Sequence, residues 1–175
     1  MVLVWQYGSN MDEDRINDKK RLYGKAKFVQ LAINRGHRLS FTHTNIHGVG
    51  TADIMVDPAD YVIGCLYEIP DNMLKVLDRI EGVNSGAYKR DEQTIIGLDD
   101  ELKESSKPFR VITYVVVNKE KNPKTDADYA NHILRGIIIH RMGKPYYEKV
   151  RKIIIENSPS IQEGLLDYPN DVIFK

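Results

Sequence analysis

The sequence predicts one α+β domain built on a mainly antiparallel sheet that is curled or barrel-like. Runs of β-branched and aromatic residues, separated by turn residues, fill much of the first two thirds of the chain. Several runs are joined by short connections, which favours antiparallel pairing over a doubly wound parallel sheet. Because no repeat or Pro/Gly-rich linker divides the 175 residues, we expect a single domain over 1–175, with a tail after Asn157 whose structure the sequence does not indicate.

The strands are predicted wherever such a run is bounded by turn-forming residues. The expected ranges are 2–7, 27–33, 38–43, 51–56, 61–69, 88–96 and 110–117. The polar stretch 99–107 is expected to be a loop.

Two late helices are predicted from apolar residues at three- and four-residue steps. The first covers about 127–138, behind Thr125 and Asp126 as candidate caps. The second covers about 145–156 and begins with Pro145, a residue favoured at the first helical position. Each helix should cover the sheet with its apolar face.

An early helix is predicted at 12–21, where acidic residues precede basic ones and Gly24 follows. This order of charges complements the helix dipole. Lys19, Lys20 and Arg21 therefore have a purely structural explanation at this point.

Charge and composition exclude several classes of function. Lys and Arg total 25, as do Asp and Glu, so the formal net charge is zero and nothing gathers phosphates or anionic lipid. We expect neither a nucleic-acid partner nor a membrane partner, and no apolar run is long enough to cross a bilayer. Cys65 is the single cysteine, which excludes an internal disulfide and a multi-cysteine metal site and favours a reducing cytoplasm.

The first candidate site is Tyr7-Gly8-Ser9-Asn10, directly after the first predicted strand. A glycine here permits backbone geometry closed to other residues, and successive amides at a helix entrance can face one negative group. The motif then forms an anion or oxyanion cradle. An ordinary strand-to-helix turn capped by Ser9 or Asn10 explains the same residues.

The second candidate is Glu81, at the end of a helix predicted over 70–81 and followed by Gly82. A carboxylate at a helix C-terminus faces the negative end of the dipole, which raises its pKa towards the range of a general base. A solvated glutamate in a frayed last turn is the structural alternative.

Other reactive side chains have weaker support. Cys65 lies in an apolar strand, where an inert buried thiol is the common case. His37, His43 and His47 lack a carboxylate or cysteine that would complete a metal site, so no metal is expected. Tyr88, Tyr114 and Tyr129 are by default core aromatics.

Three segments taken together resemble the γ-glutamyl cyclotransferase family (AIG2-like). They are Tyr7 to Met11, the run from Glu81 to Tyr88, and Tyr129 at the start of an apolar helix. The likeness extends from Val2 to about Glu156, and residues beyond Asn157 fall outside it. It implies a small mixed sheet or barrel with flanking helices, a cavity bordered by the Tyr7 to Asn10 loop, and no cofactor.

By the same resemblance, Glu81 is the catalytic residue, and Tyr7, Gly8, Ser9, Asn10, Tyr88 and Tyr129 bind the substrate. The implied reaction closes the α-amino group of a γ-glutamyl compound onto its own γ-carbonyl, giving 5-oxoproline and a free amine. One glutamate serves both proton transfers. Because nucleophile and electrophile share a molecule, orientation supplies much of the acceleration.

Three functions remain open from the sequence. The leading one is cyclisation of a small γ-glutamyl amino acid, peptide or amide. A close alternative keeps the reaction on another substrate, such as a γ-glutamylamine or a γ-glutamyl group protecting a biosynthetic intermediate. A non-catalytic module binding a small carboxylated ligand is the third, and Glu81 argues against it because a carboxylate repels an anion. The sequence does not indicate an oligomeric state.

Overall fold

A computed structural model describes residues 1–169, and in this range five strands close into a barrel. The strands are β1 (Val2–Gln6), β2 (Lys27–Thr44), β3 (Gly50–Ile69), β4 (Tyr88–Leu98) and β5 (Glu104–Val116). They are ordered β1-β3-β2-β4-β5, and each neighbouring pair in this order is antiparallel. A parallel contact between β1 and β5 closes the ring. The predicted α+β class and the curled, mainly antiparallel sheet are confirmed.

The central hairpin is longer than predicted, because the four strands expected between residues 27 and 69 form two continuous strands. β2 joins the predicted strands 27–33 and 38–43, and β3 joins 51–56 and 61–69. The pairing passes from Arg35 with Tyr61 directly to His37 with Val56, so residues 57–60 bulge out opposite Gly36. The turn residues at Gly36 and 57–60 therefore interrupt the strand pairing locally, but they end neither strand.

The β4–β5 hairpin corrects the predicted loop at 99–107. β5 begins at Glu104, which pairs with Leu98, so only the tight connection between them is irregular. Asp99 stabilises that connection by accepting hydrogen bonds from the amides of Glu101 and Lys103 at 2.9 and 2.8 Å.

The helices are α1 (Glu13–Ile16), α2 (Leu74–Ile80), α3 (Ala127–Ile139) and α4 (Lys144–Asn157). Short 3-10 turns occupy Ser9–Met11, Asp71–Met73, Val83–Ser85 and Pro159–Gly164. The predictions of α3 and α4 are confirmed, and Asp126 caps α3 by accepting a 2.8 Å hydrogen bond from the Tyr129 amide.

The helix predicted at 12–21 ends after one turn, at Ile16. The chain then folds back, and the Leu22 amide donates to the Ile16 carbonyl at 3.1 Å. The Asn17 side chain bonds both backbone groups of Ala26. Arg21 therefore lies outside the helix, and the helix dipole does not explain it.

The chain after Asn157, unassigned from the sequence, packs on the helices. Leu165 is buried, and Tyr147 donates to the Leu166 carbonyl. Asn131 on α3 bonds the carbonyl of Gly164 and the amide of Leu166 at 2.9 and 2.8 Å. Residues 158–169 are thus part of the folded unit.

Within residues 1–169, the helices fall short of the combined length and apolarity that crossing a bilayer requires.

Candidate active site

The loop after β1 enters a 3-10 turn that is held against the barrel. Gly8 has φ −109° and ψ −144°, so it does not occupy the left-handed region and the expected need for unusual backbone geometry is wrong. Its need is for space: a Cβ at Gly8 would lie 3.1 Å from the Ala52 Cβ and 3.5 Å from the Tyr129 hydroxyl. Ser9 and Asn10 are buried.

Glu81 is the residue that follows α2, and its amide still donates to the Leu77 carbonyl at 2.9 Å. Gly82 follows with φ 66°, a left-handed conformation that ends the helix as predicted. This abrupt stop keeps Glu81 at the edge of the barrel instead of extending the helix away from it.

The structure brings all of the predicted site residues together around one small cavity, which we call the inner recess. Its volume is about 30 Å³, room for a few water molecules at most. The lining residues are Gln6, Tyr7, Gly8, Ser9, Asn10, Ala52, Glu81, Tyr88, Tyr114 and Tyr129. Residues separated by up to 123 positions in the sequence thus share one surface.

Glu81 is connected to the loop by a short chain of hydrogen bonds. Asn10 Nδ2 donates to Glu81 Oε1 at 2.7 Å, and Arg21 Nη2 donates to Asn10 Oδ1 at 2.6 Å. Because a guanidinium only donates, the Asn10 oxygen faces Arg21 and its NH₂ group faces the carboxylate. The loop therefore holds the Glu81 side chain in the recess and excludes the frayed, solvated alternative.

The pKa of Glu81 is raised to about 7, and the largest cause is burial of its side chain. The charges of Arg21 and Arg15 and the hydrogen bond from Asn10 all act in the opposite direction. The predicted direction of the pKa shift is confirmed, and desolvation is its largest cause. A carboxylate with a pKa near neutrality exchanges protons readily with an amine.

Tyr88 and Tyr129 both bond the backbone of Ala52. The Tyr88 hydroxyl donates to the Ala52 carbonyl at 2.8 Å, and the Ala52 amide donates to the Tyr129 hydroxyl at 3.0 Å. Tyr7 donates to the Tyr114 carbonyl at 2.6 Å. Burial is the largest cause that raises the pKa of Tyr7, Tyr88 and Tyr129, so these hydroxyls keep their protons.

A wider depression, the outer pocket, adjoins the inner recess and has a volume of about 370 Å³. The two share Ser9, Asn10, Glu81, Tyr88 and Tyr129, so Glu81 stands at their junction. Three guanidinium groups, those of Arg15, Arg21 and Arg79, line the outer pocket, which gives it a positive character.

Two of the residues in this region were missed from the sequence. Arg21 looked like a helix-end base because its neighbours are basic, and only the early end of α1 shows that it turns inward. Gln6 is the last residue of β1. The residues before it are also buried, so buried and exposed positions do not alternate at this end of the strand. No local signal identified either residue.

Cys65 fits its structural explanation. Burial is the largest cause that raises the pKa of the Cys65 thiol, so it is not a ready nucleophile. Among residues 1–169, no group of three His, Cys, Asp or Glu side chains is arranged to hold a metal ion.

A model of the AIG2-like family matches residues 61–150, just over half of the chain. The chain belongs to the AIG2-like family. The matched segment of this AIG2-like chain contains Glu81, Tyr88 and Tyr129, whereas the loop at 7–10 precedes it. The resemblance seen in the sequence is thereby confirmed.

Curated and solved relatives agree with this membership. Gamma-glutamylcyclotransferase from Bos taurus is 28% identical over 154 residues, covering 86% of this AIG2-like chain and 78% of the relative. A solved structure described as gamma-glutamyl cyclotransferase superposes with a TM-score of 0.74 at 24% identity, covering 93% of this chain and 98% of that one. An uncharacterised human protein gives 0.74 at 26% identity, covering 98% and 92%. The barrel with flanking helices is therefore the fold of this family.

Proposed function

We propose that this chain is a γ-glutamyl cyclotransferase that converts a γ-glutamyl amino acid or amide to 5-oxoproline and the free amine. The observation that carries the proposal is the Glu81 carboxylate, held by Asn10 at the junction of the two pockets with a pKa of about 7. The named relative from Bos taurus supports the reaction class.

In the proposed reaction, the glutamyl end of the substrate lies where the outer pocket meets the inner recess, with its α-nitrogen against Glu81. The carboxylate takes a proton from the α-ammonium group, and the freed amine attacks the γ-carbonyl carbon. The new C–N bond closes a five-membered ring while the carbonyl oxygen gains negative charge. Glu81 then returns its proton to the departing nitrogen as the original amide bond breaks. The second proton of the ring nitrogen passes by way of the same carboxylate to the freed amine, which leaves as an ammonium group, and no water is consumed.

Neutral donors in the loop suit the developing negative charge. Ser9 and Asn10 begin a 3-10 turn, where the first amides have no partner within the turn. Such fixed donors stabilise an oxyanion without reorganising during the reaction. The tyrosine hydroxyls that surround the recess remain protonated and keep its wall polar but uncharged.

The leaving amine is directed outwards, because the inner recess has room for only a few atoms and the outer pocket is larger. The positive outer pocket favours a leaving group that carries a carboxylate, such as an amino acid or a peptide, over a polyamine. A γ-glutamylamine or a protected biosynthetic intermediate remains the alternative substrate for the same chemistry.

A panel of γ-glutamyl compounds tests the proposal, with 5-oxoproline measured by mass spectrometry. The panel includes γ-glutamyl amino acids, a γ-glutamyl dipeptide, γ-glutamyl-ε-lysine and γ-glutamyl alkylamines. We expect 5-oxoproline from at least one carboxylated member, and the best substrate identifies the leaving group. A chain that binds these compounds without forming 5-oxoproline from any of them is a binding module, and the proposal is then wrong.

A further inference from the structure

Gln6 has a polar side chain and lines the inner recess. The proposed reaction gives Gln6 no role. It is the last residue of β1 and only 6% exposed. It lines the inner recess but not the outer pocket. Because Glu81 borders both pockets, Gln6 lies on the inner-recess side of Glu81.

The orientation of the Gln6 amide follows from the hydrogen bonds that lead to it. Arg21 fixes the Asn10 oxygen, so the Asn10 NH₂ group has two hydrogens to donate. One goes to Glu81 at 2.7 Å and the other to Gln6 Oε1 at 3.1 Å. The Gln6 oxygen must face Asn10, and its own NH₂ group must point elsewhere.

That NH₂ group lacks an acceptor. Within residues 1–169, Gln6 Nε2 is buried and has no hydrogen-bond partner. Folded proteins keep very few buried donors in this state, and such a donor on a residue that lines a cavity is explained by a bound water or by a ligand atom. The atom it needs is an acceptor, so an oxygen of the ligand is expected there and an ammonium group is excluded.

The shape of a γ-glutamyl substrate identifies that oxygen. In the ring-closing conformation, the α-nitrogen lies between two carbons: the γ-carbonyl carbon, which carries the leaving amine, and the α-carbon, which carries the carboxylate. With the nitrogen at Glu81 and the leaving amine in the outer pocket, the α-carboxylate points into the inner recess, towards Gln6. None of the residues lining this recess, all of them in the described part of the chain, carries a positive charge, so the carboxylate there depends on neutral donors.

We propose that Gln6 Nε2 donates a hydrogen bond to the α-carboxylate of the γ-glutamyl unit and makes this carboxylate a requirement for tight binding. The inference rests on the proposed function. It adds a specificity-determining residue, and Gln6 takes no part in proton transfer.

The kinetic test replaces Gln6 with Met, which has nearly the same shape but no donor. On the best γ-glutamyl substrate, Gln6→Met should raise KM at least tenfold, the effect of losing one hydrogen bond to a charged group, while kcat changes less than threefold. The matched control is Thr125→Val, since Thr125 Oγ1 is also buried without a partner in the described chain but lies outside both pockets. The control should leave KM and kcat unchanged.

A binding test separates the α-carboxylate from the rest of the ligand and needs no turnover. It compares 5-oxoproline with 2-pyrrolidinone, the same lactam without the carboxylate, by NMR titration. Gln6→Met should weaken 5-oxoproline at least tenfold and change 2-pyrrolidinone less than twofold. Gln6→Glu, which keeps an oxygen facing Asn10 but places a negative charge towards the ligand, should weaken 5-oxoproline further at pH 8.

The outcomes distinguish this inference from the proposed function. Equal weakening of both lactams means that Gln6 only shapes the recess, and unchanged binding of both means that it does not contact the ligand; either result overturns the inference while 5-oxoproline production stands. A wild-type protein that forms no 5-oxoproline and binds neither lactam overturns the proposed function and the inference with it.

Discussion

The chemical character of Glu81 comes from three neighbours and from the loss of water around it. Burial raises its pKa, and Arg21, Arg15 and Asn10 lower it, with a balance of about 7. A single carboxylate in this balance exists in both protonation states near neutral pH. This is the property that a residue needs to act first as a base and then as an acid.

The replacement Glu81→Gln tests the catalytic role. Glutamine keeps the size and accepts the Asn10 hydrogen bond, but it does not exchange a proton, so turnover should fall on the order of 100-fold or more. In the parent protein, kcat/KM should rise with pH through a midpoint near 7, because the ionised form is the base. Steady-state rates from pH 5 to 9 check both expectations, and a variant that forms 5-oxoproline at the parental rate refutes the assignment.

Arg21 should control where that midpoint lies. Its charge stabilises the ionised form of Glu81, so Arg21→Met should move the midpoint of kcat/KM to higher pH and lower the rate at pH 7. It should also loosen Asn10, which loses the donor that orients it. Lys20→Met is the control, because Lys20 is exposed on the neighbouring turn. An identical pH profile for both variants would show that Arg21 does not act on Glu81.

The raised pKa of Glu81 also makes stability depend on pH. The folded protein holds this proton more tightly than the unfolded chain, so Glu81 stabilises the fold below about pH 4.5, and this contribution is lost as the pH rises to about 7. The Glu81→Gln variant has no carboxyl group to ionise at this position, so it does not lose this stability as the pH rises. Its free energy of unfolding relative to the parent should therefore rise between pH 4.5 and 7, by up to about 3 kcal/mol, and stay level above. Urea unfolding at several pH values measures this difference, and a constant difference contradicts burial as the cause.

At the scale of elements, α3 positions the loop that carries Ser9 and Asn10. Asp12, directly after the 3-10 turn, is fully buried and bonds His132 at 2.6 Å. His140 at the end of α3 donates to the Met11 carbonyl at 3.0 Å. Gly136 lies between these contacts, where the helix backbone meets the loop. The helix therefore acts as the support on which the candidate site is built.

Gly136→Ala tests this support. A Cβ at Gly136 would lie 2.5 Å from the Met11 Cβ and 2.8 Å from its carbonyl carbon, so the loop has to move. Helix propensity alone predicts that alanine stabilises by about 1 kcal/mol, whereas the clash predicts destabilisation of about 1–3 kcal/mol and a lower kcat/KM. Unfolding free energy and kinetics decide between the two. Ile139→Ala, on the exposed side of α3, should affect kcat/KM little.

At the scale of the whole molecule, the segment after α4 bonds both long helices, α3 and α4. Leu165 is 6% exposed and packs in the same core as the strands and the two long helices. The site lies elsewhere, at the β1 loop and the end of α2. Residues 158–169 do not line the recess, so their contribution to stability and the chemistry of the site are separable.

Leu165→Ala should destabilise the protein without changing its kinetics. Removing a buried leucine side chain costs about 2–4 kcal/mol when the surroundings do not collapse into the cavity. Chemical denaturation measures the loss, and kcat/KM below the unfolding transition should equal that of the parent. Gln162→Ala, an exposed change in the same segment, is the control. A loss below about 0.5 kcal/mol would mean that residues 158–169 do not contribute to the folded unit.

Several features of this protein were determined by the sequence alone, because they depend on local pattern. Apolar periodicity located α3 and α4, and β-branched runs located most of the sheet. A glycine after a helical stripe marked the end of α2 and singled out Glu81. Tyr7 to Asn10, Glu81, Tyr88 and Tyr129 were grouped through the family resemblance and not by local pattern, and the structure gathers them around one recess.

Other features were decided only when distant segments met. The sequence shows turn residues near Gly36 and at 57–60, but whether they end a strand or bulge from it depends on the partner strand. Arg21 reaches Asn10 because α1 stops early, and the Gln6 donor is orphaned because Arg21 and Asn10 dictate which way its amide turns. Local pattern indicates which face of an element is apolar. Desolvation and hydrogen-bond direction depend on the residues that cover that face, and only the tertiary structure brings those residues together.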